Sequence, residues 1–378
     1  MALFAETDMR LAAIRAYNMM NAELFAPHGA RLAPAALIPM NTPEEAIAEL
    51  DFAVGELGMR AIMIVGTVRR PIPAALAAAP KVPLNHLATW IDPLALDSAY
   101  DYDPVWQRIV DLKLAATDHG FAANWAHRRS ISSFNYNHIG HFSDSAAAFA
   151  KALFFGGVTR RFPTLKFAFL ECGVGWACGL YNDLVGHWEK RSRKALEGNL
   201  DPARIDRVLF AELVERYGDE RARSKLDILR LRDGVYLESH PETPETLDEW
   251  AACGIARAED IHDLFVPNFY FGCEADDPMN ALAFDTRLNR FGARLKPILS
   301  SDIGHWDVPD ATKVLVEAYE LVERELIAPG DFRDFAFTNA AELHSGLNPH
   351  FFKGTAVEDA VSAWQGSRPG SEAAGAGK

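Results

Sequence analysis

The sequence predicts an α/β fold built on a parallel sheet. Short apolar runs alternate with longer amphipathic segments, and polar residues able to do chemistry fall just after several of the apolar runs. At 378 residues the chain suits one large barrel domain as well as two smaller ones.

The elements read in order as follows. Residues 31–40 (RLAPAALIPM) form a strand, and Thr42, Pro43, Glu44 and Glu45 then supply an N-cap, a proline at the first helical position and acids in the first turn. The helix so begun covers 44–57 and stops at Gly58. Residues 59–65 (MRAIMIV) are the next strand, followed by a Pro- and Ala-rich excursion to Asp103. A helix at 104–111 leads into the apolar run 112–117, which closes on Asp118 and His119. A Ser/Asn-rich loop, a helix at 144–155, the strand 166–170 ending on Glu171 and a mixed-charge helix at 176–195 come next. Residues 198–265 read as a mostly helical insertion. Strands at 268–273, ending on Glu274, and 297–300, ending on Ser301 and Asp302, precede helices at 311–326 and 331–343. The domain is bounded at residue 352, and 353–378 is expected to be a largely disordered tail.

Composition narrows the function classes. With 49% hydrophobic and 24% charged residues the chain can bury a large core, and its formal net charge of −14 repels nucleic acid and anionic membranes alike. A small-molecule substrate fits better. No run reaches the roughly 18 uncharged apolar residues of a membrane span, and the opening residues lack the pattern of a secretory signal. Cys172, Cys178, Cys253 and Cys273 show no C-x-x-C spacing, so free thiols in a cytoplasmic protein are expected. A P-loop and a Gly-x-Ser-x-Gly elbow are both missing from the sequence.

Four strand ends carry candidate chemistry: His119, Glu171, Glu274 and Asp302. Parallel strands of one barrel end on one mouth, so these distant residues can share a site, and imidazole with carboxylate is what a zinc- or manganese-type ion accepts. In this reading His119 and Asp302 hold one divalent ion, zinc or else manganese, and Glu171 and Asp302 handle protons. His138, His141, Glu274 and His305 contact the substrate. Aromatic stretches such as FNYN and FYFG suggest a ring-bearing or unsaturated carboxylic acid.

The segments AYN (16–18), RLAPAALIPM (31–40), DPVW (103–106), GGVTRRFPTLKFAFLECGVGWA (156–177) and SSDIGHWDVPD (300–310) resemble, in order, the amidohydrolase-related proteins of the aminocarboxymuconate-semialdehyde decarboxylase type. The resemblance implies a (β/α)8, TIM-barrel-like fold with one divalent metal at its C-terminal mouth. It implies ligands from a His-x-His on the first strand, a histidine ending the fifth, matched by His119, and an aspartate ending the eighth, matched by Asp302. Glu171 stands where decarboxylases of that type carry a catalytic histidine. The sequence contains no His-x-His, so the barrel is expected to be incomplete at its N-terminus, without the first two strands. Two readings follow: a metal-dependent hydrolase or decarboxylase, or a non-catalytic barrel remnant unable to hold metal alone. Assembly as a homo-oligomer, or with a partner chain that supplies the missing strands, is expected in either case.

Overall fold

The structure is a computed structural model that describes residues 6–78, 88–123, 125, 128–200, 206–227 and 248–368. Six strands, β1 (Ala35–Leu37), β2 (Ala61–Ile64), β5 (Ala116–Asp118), β6 (Phe167–Phe169), β7 (Phe269–Cys273) and β8 (Lys296–Leu299), pair in that order into one sheet. All five pairings are parallel. This is the α/β, barrel-like arrangement that the sequence predicts, with the ring open: among the described residues β1 and β8 share no ladder. Each strand overlaps the apolar run expected to form it, with β5 ending one residue later, at Asp118, and β8 beginning one residue earlier, at Lys296. A seventh and eighth strand, β3 (Val68–Pro71) and β4 (Thr89–Asp92), form an antiparallel hairpin inside the stretch read only as an excursion. Neither has the alternation of a half-buried strand; they are held instead by Arg70, which reaches Asp92 at 2.8 Å and the Tyr102 hydroxyl at 2.9 Å.

The sheet's two faces differ in side-chain size. Phe167, Phe169, Phe269 and Phe271 are buried on one face against Trp106, Phe149, Trp176 and Phe265 of the covering helices. Ala115, Ala168, Tyr270 and Ile298 make a smaller cluster with Leu343. Both faces are covered, so these strands read as continuous apolar runs rather than as alternating ones.

An open sheet leaves two edges of unpaired backbone groups, and here each is answered by an asparagine. Asn18, fully buried in the helix Thr7–Phe25, accepts from Leu37 N at 2.8 Å and donates to Leu37 O and Glu49 Oε1, both at 2.9 Å. Its amide thus stands in for a neighbouring strand. Ion pairs Arg10 to Glu45 (2.7 Å) and Arg15 to Glu49 (2.8 Å) hold that helix on the next one, Pro43–Asp51, which Thr42 caps as expected. On β8, Asn339 donates to Pro297 O at 2.8 Å, and the proline has no N–H to leave bare.

Two expectations need correction. The span 353–378 is not disordered throughout: Glu358–Gly366 is a helix with Val361 buried, and Ala356 N donates to Ala30 O at 2.9 Å, tying this end to the opposite end of the chain. Residues 369–378 lie outside the described residues. The insertion expected at 198–265 does hold helices, Arg207–Tyr217 and Glu220–Arg223, but its last segment, Glu259–Phe265, buries Phe265 in the main core. Residues 201–205 and 228–247 of it lie outside the described residues. No described helix is long and apolar enough to cross a membrane.

Replacing Asn18 by Ala strands a buried N–H and a buried C=O of β1. Urea denaturation should register a loss of roughly 2–4 kcal/mol. A change below about 0.5 kcal/mol, the range of an ordinary surface substitution, would refute the edge-capping role.

Candidate metal centre

The site is built where the strands end. β5 closes at Asp118, and His119 follows with its N–H bonded to Ile64 O of β2 at 3.2 Å. Its Nε2 lies 2.8 Å from Glu171 Oε2, and its ring meets Phe142 edge-on, with centroids 4.8 Å apart and planes at 88°. Glu171 comes two residues after β6. Gly272 lets β7 run close beneath it, because a side chain there would meet Leu170 Cα at 2.9 Å and Glu171 N at 3.0 Å.

Asp302 follows β8 on a tight turn through Gly304, and His305 folds back to place Nδ1 2.8 Å from Asp302 Oδ2. Glu171 and Asp302 both take left-handed backbone conformations, φ 53° and 48°, a region in which a residue with a Cβ is strained. The turn aims both carboxylates into the mouth. One donor atom each from Glu171, Asp302 and His305 lies within 4.8 Å of the others. Glu171 is therefore shared: it bonds His119 on one side and faces Asp302 and His305 on the other.

The expected residues divide into those the structure brings together and those it sets apart. His119, Glu171, Asp302 and His305 form one cluster. His138 and Glu274 line a cleft of about 260 Å³ together with Glu171, Phe142 and Asp277. Glu274 and Asp302 also line a second, of about 380 Å³, with Asp307 and Asp310. His141 is not at the cleft surface as expected: it is 6% exposed, its Nδ1 faces the backbone oxygen of His138, and its ring lies 3.9 Å from that of Phe142. It backs the wall rather than forming it, since Gly140, at φ 75°, breaks the helix between the two histidines. Sequence reasoning passed over Phe142, Asp277 and Asp118. An acid at the end of an apolar run was the one available signal for Asp118.

Charge follows the geometry. Burial alone would lower the His119 imidazole, but the hydrogen bond and charge of Glu171 outweigh it and hold the group above its ordinary value. Burial would likewise raise Glu171, and His119, helped by His305 and His141, holds it below. Glu274 is pushed up by partial desolvation and by Asp276, Glu171, Asp302 and Asp277. Burial lowers His141 despite the His138 carbonyl.

The donor set suits a divalent cation of the zinc or manganese kind: two carboxylates, an imidazole beside them and a second imidazole one hydrogen bond away. Ligands about 2.1 Å from a common ion lie at most about 4.2 Å apart, so small side-chain rotations bring the three groups into range.

The structure thus defines a parallel α/β protein with a metal-competent mouth. A sequence model of the family described as Amidohydrolase matches residues 2–222, and the chain belongs to that family. No curated protein matches it. Similar solved structures include a dihydroxybenzoic acid decarboxylase from Polaromonas sp. JS666 with bound manganese and the inhibitor 2-nitroresorcinol, 18% identical, TM-score 0.48, covering 90% of this chain and 77% of that one. A 5-carboxyvanillate decarboxylase from Sphingomonas paucimobilis is 13% identical, TM-score 0.49, with 91% and 75% covered. A 2,6-dihydroxybenzoate decarboxylase from Rhizobium is 15% identical, TM-score 0.43, with 91% and 80% covered.

The His119 to Glu171 pair sets a pH window. His119, raised, contributes stability below its ordinary 6.5 and loses it as pH climbs through its folded value. Glu171, lowered, contributes above its ordinary 4.5 and loses it as pH falls through its folded value. In chelator-treated protein, the difference in melting temperature between wild type and Glu171→Gln should be greatest between 4.5 and 6.5 and shrink on both sides. A difference flat across pH would show that the pair is not ionic.

Proposed function

We propose that this chain is a metal-dependent hydrolase or decarboxylase acting on a small carboxylic acid that carries a ring or an unsaturated bond. The cluster of Glu171, Asp302 and His305, with His119 bonded to Glu171, is the observation that carries this reading. In this reading Asp302 and His119 are ligands, and His119 joins the set by releasing Glu171. Zinc is the first candidate and manganese the second. When bound, a divalent cation supplies Lewis-acid polarisation and lowers the pKa of a coordinated water.

The chain's own residues do the rest. Glu171 and Asp302 accept and return protons at the floor of the cleft, and His305 steadies Asp302. His138, stacked on Phe134 with centroids 5.0 Å apart, and Phe142 offer a flat wall to a planar substrate. Glu274, its carboxyl held above the ordinary carboxylate range by partial desolvation and the neighbouring acids, lines the same cleft as Glu171 and His138. Glu171, Glu274, Asp277 and Asp302 together repel a carboxylate, so substrate binding in this reading is coupled to cation binding.

Exposed Met9, Met19, Met20 and Leu24 on the first helix support association with a second copy or a partner chain, which size-exclusion chromatography tests directly. The four cysteines are free thiols, which supports a cytoplasmic setting.

The test is elemental analysis after exposure to zinc or manganese and dialysis, followed by release of carbon dioxide from 2,6-dihydroxybenzoate. One ion per chain is expected, with affinity at least about tenfold weaker in Asp302→Ala and reduced in His119→Ala. No retained ion in the wild type, or full occupancy in both variants, would overturn the assignment.

A further inference from the structure

We propose that Asp118 is a positioning residue for this centre: its carboxylate, sealed behind His119, fastens the exits of β2 and β5 to each other and to the helix His141–Phe155, and so fixes where His119 stands. The inference rests on the reading of His119 as part of the metal centre.

Asp118 is 2% exposed, its Oδ1 accepts the N–H of Gly66 at 2.6 Å, and the backbone N–H of Gly120 faces the same carboxylate. Neither glycine has room for a side chain. A Cβ on Gly66 would lie 2.1 Å from the Phe149 ring, and one on Gly120 would lie 2.6 Å from Ser145 Oγ. Both Phe149 and Ser145 belong to the helix His141–Phe155, so the two loops are pressed onto that helix at the same place. Ser145, with no exposed surface, has its hydroxyl 3.4 Å from that of Thr67, which completes a buried polar nest spanning three segments.

What the nest holds is the centre itself. His119 is the next residue along the chain, and the Phe142 ring that meets His119 edge-on stands one helical turn before Ser145. The backbone of Asp118 adds a third tie, because its carbonyl accepts Leu170 N at 2.8 Å, immediately before Glu171. One residue thereby locates His119 through the chain, Phe142 through the helix and Glu171 through the neighbouring strand. A carboxylate withdrawn from water is a costly way to fill space. A short hydrogen bond from the Gly66 N–H, with the Gly120 N–H turned to the same carboxylate, marks it as an anchor instead. The anchor needs an acceptor oxygen at that point rather than a charge.

The full-length chain is compared as wild type, Asp118→Asn, Asp118→Ala and Ser145→Ala. Two measurements apply: the His119 imidazole signals by nitrogen–proton NMR without added cation, and Mn2+ binding by calorimetry. Asp118→Asn keeps the acceptor, so its His119 signals should match wild type and its Mn2+ affinity should stay within about threefold. Asp118→Ala should displace or broaden those signals and weaken Mn2+ binding at least about tenfold, the range for residues that orient a ligand from behind. Ser145→Ala should move them in the same direction by less.

Wild-type His119 signals in a folded Asp118→Ala protein would overturn the proposal, as would Asp118→Asn proving as damaging as Asp118→Ala. If Asp118→Ala does not fold, unchanged His119 signals in Ser145→Ala overturn it. Failure of the wild type to take up Mn2+ counts against the metal reading, while the cation-free signals still decide the role of Asp118.

Discussion

A parallel sheet ends all its strands on one rim, and the rest of this molecule follows from that constraint. His119, Glu171, Glu274 and Asp302 lie far apart in sequence, yet each is among the first three polar side chains past a strand of the same sheet. No long-range recognition is needed to assemble them. Once neighbouring strands pair in register, with Asp118 opposite Phe169 and Phe169 opposite Phe271, the residues just beyond are delivered to one mouth.

The same sheet has a weakness at its sides. Six strands in an open row leave backbone groups that a closed barrel would pair internally. The chain answers with two asparagine amides, each presented by a helix, and with a proline whose missing N–H needs no acceptor. These contacts belong to stability, and they are separate from the mouth: Asn18 and Asn339 bond to Leu37 and Pro297 within β1 and β8, whereas the chemistry starts beyond the strand ends.

The sequence makes most of the sheet legible because strands buried on both faces are continuous apolar runs, and such runs at 31–40, 59–65, 112–117, 166–170, 268–273 and 297–300 stand out against polar helices. The hairpin of β3 and β4 was not legible. Its stability comes from Arg70 meeting Asp92 and Tyr102, contacts that have no local pattern. The helix at Glu358–Gly366 was hidden by the small and polar residues that follow it. Strand ends pointed to His119, Glu171 and Asp302, but not to the hydrogen bond that makes Glu171 the shared member. His141 illustrates the opposite error, since adjacency to His138 in sequence does not tell which of two histidines faces outward when a glycine turn separates them.

Glu171 and Asp302 each occupy a twist of the main chain that only glycine adopts freely. At these two points the demands of folding and of chemistry pull apart: glycine would relax the chain while erasing the carboxylate. A search for sturdier variants guided by melting temperature alone would therefore drift toward proteins that keep the architecture and lose these two carboxylates, and selection for thermal robustness here has to be paired with a check that both acids are retained.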